Sequence, residues 1–257
     1  MSYTQFQDPR VRASIETTVD WLRWMNAQSM LHDTLPPIEP SCSLCRNVCN
    51  DGYDLCYDCN SMAYYLDGLI LPTYSFEAGL ESLVGTYKDG PPSNRWQAQP
   101  LGSLLYETLR RHGACINDAL GQDPIYTFVP SDNEERGFEH LEGIIKGVQG
   151  QWKNHPWERN VIVRDREHPR PARKRVQPRA YKVTRDIDAR SVLLFDDLWT
   201  TGASMASAAA RLKSEGAGKV IGVVLGRQLN PDFQLGAQLT KEAEERGWTF
   251  DECALCP

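Results

Sequence analysis

Residues 192–204 have the sequence Val192-Leu-Leu-Phe-Asp196-Asp197-Leu-Trp-Thr200-Thr201-Gly202-Ala203-Ser204, the pattern most informative about the fold. Four consecutive apolar residues, 192–195, predict a buried strand, and the alanine-rich stretch 204–215 predicts a helix. A buried strand that leads directly into a helix is typical of a parallel sheet covered on both faces. Open sheets of this kind bind ligands at the carboxyl ends of their strands, so the acids and the turn after them are candidate site residues.

The turn from Thr200 to Ser204 has the composition of a phosphate site. Small residues let backbone N–H groups approach an anion, hydroxyls add donors, and the start of the helix adds partial positive charge. Asp196 and Asp197 are placed to accept hydrogen bonds from two neighbouring sugar hydroxyls. A phosphate site beside a diol site fits a ribose 5-phosphate. The alternative is a helix that Thr and Ser only cap, beside solvated acids.

Segments on both sides of this stretch support an α/β fold. Continuous apolar runs predict strands at 125–129, 161–163 and 220–225, and helical periodicity predicts a helix at 138–148. Near the N-terminus, apolar residues recur at helical spacing between 8 and 31, beside Trp21 and Trp24. That stripe indicates a packing face or, alternatively, a helix that binds a partner.

Composition and charge exclude several classes of protein. Of 257 residues, 41% are hydrophobic and 24% are charged, as in an ordinary globular protein. The net charge of −6 argues against a general nucleic-acid coat. The N-terminal sequence lacks the apolar stretch of a secretory signal, and no run reaches the roughly 18 apolar residues of a membrane helix. We therefore expect a cytoplasmic protein without membrane contact, whose eight cysteines need a role other than disulfides.

Four of the cysteines have the spacing of a metal site, Cys42-x2-Cys45-x10-Cys56-x2-Cys59. Two knuckles of this kind supply four thiolates to one tetrahedral ion, a set that suits structural Zn²⁺. Iron–sulfur ligation and a metal-free redox role are the alternatives. Cys49 is interpreted as a spectator and Cys115 as a small packed residue. The pair Cys253-x-x-Cys256 supplies half a site, and is either a spectator or a competitor for one of the knuckles.

Together these features resemble a known family. The pattern of four apolar residues, two acids, two apolar residues and a hydroxyl-rich turn is similar to the signature of type I phosphoribosyltransferases. With a four-cysteine module ahead of it, the chain from about residue 42 to 227 resembles the ComF-type, competence-associated phosphoribosyltransferases. Further stretches that match this family are Tyr87-Lys88, Val129-Pro130 and Arg136-Gly137-Phe138.

The resemblance implies a fold, a substrate and a set of site residues. The fold is a type I phosphoribosyltransferase-like parallel sheet with flanking helices, and the substrate is 5-phosphoribosyl-1-pyrophosphate with Mg²⁺. Asp196 and Asp197 would hold the ribose hydroxyls. The 5-phosphate would bind Thr200, Thr201, Gly202, Ala203 and Ser204. Ser131 and Arg136 complete the substrate set, and Arg175 would assist catalysis by neutralising the departing pyrophosphate.

The chain departs from the family pattern at three places. Trp199 is bulkier than the aliphatic residue usual there. Thr200 stands where purine-salvage members have an aspartate that contacts the base, which makes a purine the weaker substrate prediction. The loop 131–135 carries Asp132, Glu134 and Glu135 where the family is usually basic. These acids would repel pyrophosphate, so we expect its binding to depend strongly on Mg²⁺.

The segment 164–185, called the basic segment below, is broken by prolines and predicts a long loop. Its cations are concentrated in Arg164, Arg166, Arg170, Arg173, Lys174, Arg175 and Arg179. In type I enzymes a mobile loop at this place closes over the reacting centre, where arginines would neutralise pyrophosphate. A solvated charge run and a contact with the DNA backbone are the alternatives.

The function predicted from these residues is transfer of a phosphoribosyl group to an unknown acceptor, with release of pyrophosphate. The predicted organisation is a helical extension at 1–40, a zinc module at 41–62, the phosphoribosyltransferase core at 63–230 and a C-terminal extension at 231–257. The alternative from another class is a non-catalytic adaptor that binds a ligand or the proteins of a DNA-processing complex. Direct nucleic-acid binding in a regulatory role is the third hypothesis, and it requires affinity that falls steeply with salt.

Overall fold

The centre of the fold is a parallel sheet flanked by helices. The computed structural model describes residues 15–34, 41–76, 79–131, 133, 136–151, 157–172, 174–232 and 236–250. Within them the strands are β1 Gly68–Ile70, β2 Tyr74–Ser75, β3 Ile125–Phe128, β4 Ile162–Arg164, β5 Tyr181–Val183, β6 Val192–Trp199 and β7 Val220–Gln228. The α-helices are α1 Thr18–Ala27, α2 Leu80–Asp89, α3 Ala98–Arg111, α4 Gly113–Leu120, α5 His140–Gly147, α6 Ala203–Ser214 and α7 Gly236–Arg246.

Five strands form the parallel sheet, in the order β1–β7–β6–β3, and β2 pairs with a later part of β7. The central pair, β6 and β7, runs in register from Val192↔Val220 to Trp199↔Arg227. Both strands are buried along almost their whole length, as expected of inner strands covered by helices on both faces. The α/β fold class predicted from the sequence is confirmed.

The neighbours of β6 follow it over different lengths. β3 pairs with β6 only as far as Phe128↔Phe195, and the ladder ends with the hydrogen bond from Val129 N to Phe195 O at 2.8 Å. Pro130 follows and has no N–H to donate, so the chain leaves the sheet there. β7 stays paired as far as Trp199. The divergence of β3 leaves room beside the two acids of β6.

The strand through the acids is longer than the sequence predicts. The sequence predicts a strand that ends at residue 195, before Asp196 and Asp197. In the structure, β6 continues through both acids to Trp199. The reason is β7, which runs to Gln228 instead of 225 and supplies a partner for the extra residues. The strand predicted at 125–129 corresponds to β3, and the one at 161–163 corresponds to β4, shifted by one residue.

Two of the helices correspond to predicted ones, since 138–148 contains α5 and 204–215 matches α6 within one residue at each end. Helices α2, α3, α4 and α7 were not predicted from the sequence. α3 and α5 approach closely because Gly102 has no side chain; a Cβ there would lie 2.4 Å from the Ile144 carbonyl oxygen. Among the described residues, no helix combines the length and apolarity needed to cross a membrane.

The N-terminal helix packs on the core through its aromatic side. α1 is the described part of the helix predicted at 8–31, and residues 1–14 lie outside the described ones. The Thr17 hydroxyl caps α1 by accepting from the Asp20 amide at 3.1 Å. Trp21 and Leu22 are buried, and the Trp21 ring stacks on Trp96 with centroids 6.1 Å apart. These contacts favour the interpretation of the stripe as a packing face.

Candidate functional site

The four cysteines predicted to bind a metal come together in one buried cluster. The Sγ atoms of Cys42, Cys45, Cys56 and Cys59 all lie within 4.8 Å of one another. The Sγ atoms of Cys45 and Cys56 are 3.7 Å apart. A tetrahedral ion with Zn–S bonds of about 2.3 Å separates its sulfurs by about 3.8 Å, so the arrangement fits a metal ion such as Zn²⁺.

The local backbone explains how the first knuckle presents its thiols. The Cys45 amide points at Cys42 Sγ, 3.5 Å away, and the Cys42 amide donates to Asn47 O at 2.6 Å. Arg46 adopts a left-handed φ of 55° to close this turn. Cys49 is buried beside the cluster but outside the set of four, and burial raises the pKa of its thiol to about 12. A neutral thiol is consistent with its interpretation as a spectator.

The cysteine module also supports the neighbouring elements. Met62, just after the fourth cysteine, packs against Ala203 and Ala206 in the first turns of α6. The Asp58 carboxylate lies 3.0 Å from Lys174 Nζ, and the same ammonium lies 5.4 Å from the centre of the Tyr57 ring. The module therefore contacts both the helix that follows the acids and the basic segment.

A cavity of about 620 Å³ lies where β3 leaves β6, a volume typical of small-molecule sites. It brings together the predicted residues Ser131, Arg136, Asp196, Asp197, Thr200, Thr201, Gly202, Ala203 and Ser204. Further polar and charged residues in its wall are Lys88, Asp89, Asn133, His140, Arg170 and Tyr181. The structure therefore brings these predicted residues together at one edge of the sheet.

The start of α6 is arranged to receive an anion. Its N-cap is Gly202, at φ 77°, and no side chain in the described part of the chain caps the helix. The first helical hydrogen bond runs from Ala206 N to Gly202 O at 2.9 Å, which leaves the amides before it directed outward. A Cβ on Gly202 would lie 2.2 Å from the Trp199 ring, so only glycine fits this turn. Free amides and the helix dipole together form an anion site.

A buried arginine holds the loop between the acids and α6. Arg227, at the far end of β7, is 4% exposed. Its Nη1 donates to the carbonyl oxygens of Trp199 and Gln228, both at 2.8 Å, and also to that of Thr200. Trp199 itself is buried and forms the back wall beneath Gly202. The extra bulk of this tryptophan, noted in the sequence, thus fills the space behind the turn.

The two acids have different surroundings. Asp197 is buried, and its Oδ2 lies 2.6 Å from Lys88 Nζ and 3.0 Å from His140 Nε2. Its Oδ1 accepts from the Leu198 amide at 2.7 Å. Asp196 is half-buried, and its Oδ1 accepts from the Asp197 amide at 2.9 Å. Asp197 is therefore a structural centre of the cavity wall, whereas Asp196 keeps acceptor capacity for a ligand.

These surroundings move the pKa values of the two carboxyls in opposite directions. Burial, followed by the charge of Asp197, raises the pKa of Asp196 to about 7. Burial alone would also raise the pKa of Asp197, but the His140 hydrogen bond and the Lys88 charge outweigh it and hold the value well below the ordinary one. At neutral pH the site therefore contains one firmly ionised carboxylate and one that exchanges its proton readily.

Arg136 links the loop after β3 to α2. Its guanidinium donates to Ser131 Oγ at 2.9 Å and pairs with Asp89 at 2.9 Å. The Ser131 amide donates to Glu139 Oε2 at 3.1 Å, and Glu139 also caps α5. Glu139 thus holds this loop, and the neighbouring His140 holds Asp197. Asp132, Glu134 and Glu135 lie outside the described residues, as do Cys253 and Cys256.

The basic segment is a long loop closed at its base by a ribbon of β4 and β5, paired antiparallel from Ile162↔Val183 to Arg164↔Tyr181. Of its cations, Arg170 lines the cavity. Arg175 is exposed, its amide donates to Ala172 O at 3.2 Å, and it is not among the residues that line the cavity. Arg173 lies outside the described residues. The structure thus brings Arg170, not Arg175, to the predicted site.

Three residues of the site were not assigned a role from the sequence: Lys88, His140 and Arg227. Arg227 could have been recognised in the sequence as a site residue, because it is a charged residue at the end of an otherwise apolar strand. Lys88 and His140 are remote in sequence from Asp197 and become its partners only through the packing of α2 and α5 on the sheet. No local pattern could have paired them.

No protein-family model matches this chain, and no curated protein sequence matches it.

Replacing both Cys56 and Cys59 by serine should remove one bound zinc ion per chain, because two thiolates cannot complete a tetrahedral site. Cys49→Ser is the matched control, since Cys49 is buried beside the cluster without belonging to it. Elemental analysis of the purified proteins measures the zinc content. Equal zinc in the parent and the double variant would contradict the assignment.

The two acids should have opposite effects on stability. Between pH 3.8 and about 7, unfolded Asp196 is ionised while folded Asp196 stays protonated, so folding becomes less favourable as pH rises. Asp196→Asn should therefore stabilise the protein, fully above pH 7. Asp197, with its lowered pKa, stabilises the fold above its unfolded pKa and loses this effect as pH falls through the folded value.

Asp197→Asn should accordingly destabilise the protein at pH 8, by roughly 3 kcal/mol or more, because Lys88 and His140 lose their partner. Urea unfolding of both variants at pH 5 and pH 8 gives the free energies. Shifts of the same sign for the two variants at pH 8 would show that their surroundings are not as described.

Proposed function

We propose that the cavity binds 5-phosphoribosyl-1-pyrophosphate and that the protein transfers its phosphoribosyl group to an acceptor, with release of pyrophosphate. The observation that carries this proposal is that the uncapped N-terminus of α6 and the carboxyl of Asp196 line the same cavity. The first is a site for a phosphate and the second an acceptor for sugar hydroxyls. The resemblance of the sequence to type I phosphoribosyltransferases points to the same ligand.

The 5-phosphate would occupy the turn from Thr201 to Ser204. The turn offers backbone amides, the hydroxyls of Thr201 and Ser204, and the positive end of a helix of twelve residues. Arg227 donates hydrogen bonds to the carbonyl oxygens of Trp199 and Thr200, which precede the turn, so these oxygens do not face the anion. The phosphate therefore meets donors without the competing acceptors of the loop.

The ribose and the pyrophosphate would lie between this turn and the loop after β3. Asp196 would accept hydrogen bonds from the ribose hydroxyls, and ionisation of its carboxyl is favoured by a partner that donates. Arg136, Arg170 and Lys88 line the same cavity and would face the pyrophosphate. In the transfer, the bond between the anomeric carbon and pyrophosphate breaks, and these cations stabilise the charge on the departing group.

Mg²⁺ is the expected companion of the pyrophosphate, which it would neutralise when bound. Such ions usually keep several waters and take one or two protein carboxylates together with substrate phosphates. Asp89 lines the cavity, and 62% of its side chain is exposed, so its carboxylate is accessible to a hydrated ion. The described cavity therefore fits Mg²⁺ that arrives with the substrate. We likewise propose Zn²⁺ as the ion of the four-cysteine cluster.

A non-catalytic adaptor is the second candidate, and the state of Asp197 favours it. Both carboxylate oxygens of this residue are engaged, by Lys88 and His140 on one side and by the Leu198 amide on the other. A site with one available acid can bind the ligand without promoting transfer. Release of pyrophosphate from the bound substrate, measured with candidate acceptors, separates the enzyme from the adaptor.

Ser204→Ala should weaken binding of 5-phosphoribosyl-1-pyrophosphate by roughly 10- to 150-fold, since a hydrogen bond to a charged group contributes roughly 1.5–3 kcal/mol. Ser214→Ala is the matched control at the other end of the same helix, where the hydroxyl donates to Arg211 O at 2.8 Å. Calorimetry in the presence of Mg²⁺ gives the affinities. If the parent does not bind, the proposal fails; if both variants bind like the parent, the phosphate lies elsewhere.

A further inference from the structure

His140 is a buried residue whose two ring nitrogens face different partners. It begins α5, and only 5% of its side chain is exposed. Nε2 lies 3.0 Å from Oδ2 of Asp197, a carboxylate that is firmly ionised and can only accept. Nε2 therefore carries a hydrogen and donates this hydrogen bond. The charge of the ring then depends on the other nitrogen, Nδ1.

Nδ1 has two neighbours that require it in opposite states. Arg136 Nη1 lies 3.1 Å away, and a guanidinium only donates, so this contact is a hydrogen bond only when Nδ1 is unprotonated. Glu139 Oε1 lies 3.3 Å away, and a carboxylate only accepts, so this contact requires a proton on Nδ1. The two hydrogen bonds exclude each other, and one proton decides which of them forms.

The protein occupies most donors of Arg136 when His140 is neutral. Nη1 donates to Ser131 Oγ at 2.9 Å and to His140 Nδ1. Nη2 and Nε both donate to Asp89 Oδ1, at 2.9 Å and 3.3 Å. Within the described part of the chain, four of the five N–H groups of this guanidinium are thus taken. Protonation of His140 frees one of the four and places a second positive charge beside the arginine.

We propose that His140 positions Arg136 for the pyrophosphate group of the ligand: the neutral ring holds the guanidinium, and the protonated ring releases it to the anion. Both residues line the cavity, so the released donor is available to an anion bound there. The proton comes from solvent, and the bound anion in turn favours the charged ring. This inference rests on the proposed function in one respect, since it requires a pyrophosphate group in the cavity.

The charges around the ring set the pH at which this change occurs. Burial alone would lower the pKa of His140, but the hydrogen bonds to Asp197 and Glu139 outweigh it and raise the value above the ordinary one. Binding of the anion should therefore be strongest below this raised pKa and should weaken as pH rises through it. The charged groups that face the ring are Lys88 from α2, Asp196 and Asp197 from β6, Arg136 from the loop after β3 and Glu139 from the N-cap of α5.

Imidazole ¹⁵N chemical shifts of the ligand-free protein test the two exclusive contacts, and the signal that is missing from His140→Gln assigns the ring. The pKa of His140 should fall in Glu139→Gln, which loses a negative charge, and rise in Arg136→Met, which loses a positive one. It should also rise when inorganic pyrophosphate and Mg²⁺ are added to the parent. A pKa that moves in the same direction in both variants, or in neither, would overturn the proposal.

Calorimetry with inorganic pyrophosphate and Mg²⁺, at pH values on either side of the measured pKa, tests the effect on binding. His140→Gln keeps a donor for Asp197 but takes up no proton. The loss of affinity at the higher pH should be larger in the parent than in this variant by at least about tenfold, the lower limit for one hydrogen bond to an anion. Ionisation of Asp196 or of pyrophosphate itself affects both proteins and cancels in the comparison.

His168→Gln is the matched control, because this ring contacts Asp165 in the basic segment and is not among the residues that line the cavity. It should show the pH dependence of the parent. Equal pH dependence in the parent and His140→Gln would contradict the role of His140.

The experiment separates this inference from the proposed function. Pyrophosphate that binds with the expected pH dependence, without any phosphoribosyl transfer, would support the inference and contradict the catalytic proposal. A parent that binds 5-phosphoribosyl-1-pyrophosphate but not pyrophosphate would overturn the inference alone. If neither ligand binds, both proposals fail.

Discussion

The buried hydrogen bonds of Arg227 are the contact on which the cavity depends. This guanidinium holds the carbonyls of Trp199 and Thr200 and so keeps the end of β6 on β7 after β3 has left. Without it, two carbonyl groups of the loop, those of Trp199 and Thr200, would lose this donor.

The acids show how one strand can supply two different functions. Asp196 and Asp197 line the same cavity but have different hydrogen-bond and charge partners. Asp197 is neutralised by Lys88 and His140 and joins α2 and α5 to the sheet. Asp196 remains beside it with a raised pKa, a state that costs folding free energy and leaves a carboxyl available for a ligand. The Asp196 carboxyl that is available for a ligand therefore lowers the stability of the folded protein.

The sequence predicted those parts of the molecule that local patterns determine. Apolar runs indicated β3 and β6, and cysteine spacing indicated the cluster, because both depend on residues close together in the chain. The extension of β6 could not be predicted, since it requires pairing with residues of β7 nearly thirty positions later. Lys88 and His140 were missed for the same reason. Arg175 and Arg170 were indistinguishable in the sequence, and only the path of the loop separates them.

We propose that the N-terminus of α6 holds the 5-phosphate of a phosphoribosyl ligand, with Asp196 on the ribose. A crystal structure of the protein soaked with 5-phosphoribosyl-1-pyrophosphate and Mg²⁺ measures this directly. We expect the 5-phosphate within hydrogen-bonding distance of the amides of Ala203 and Ser204, and a ribose hydroxyl on the Asp196 carboxylate. A ligand bound elsewhere, or a turn that stays free of phosphate at saturating concentration, would contradict the claim.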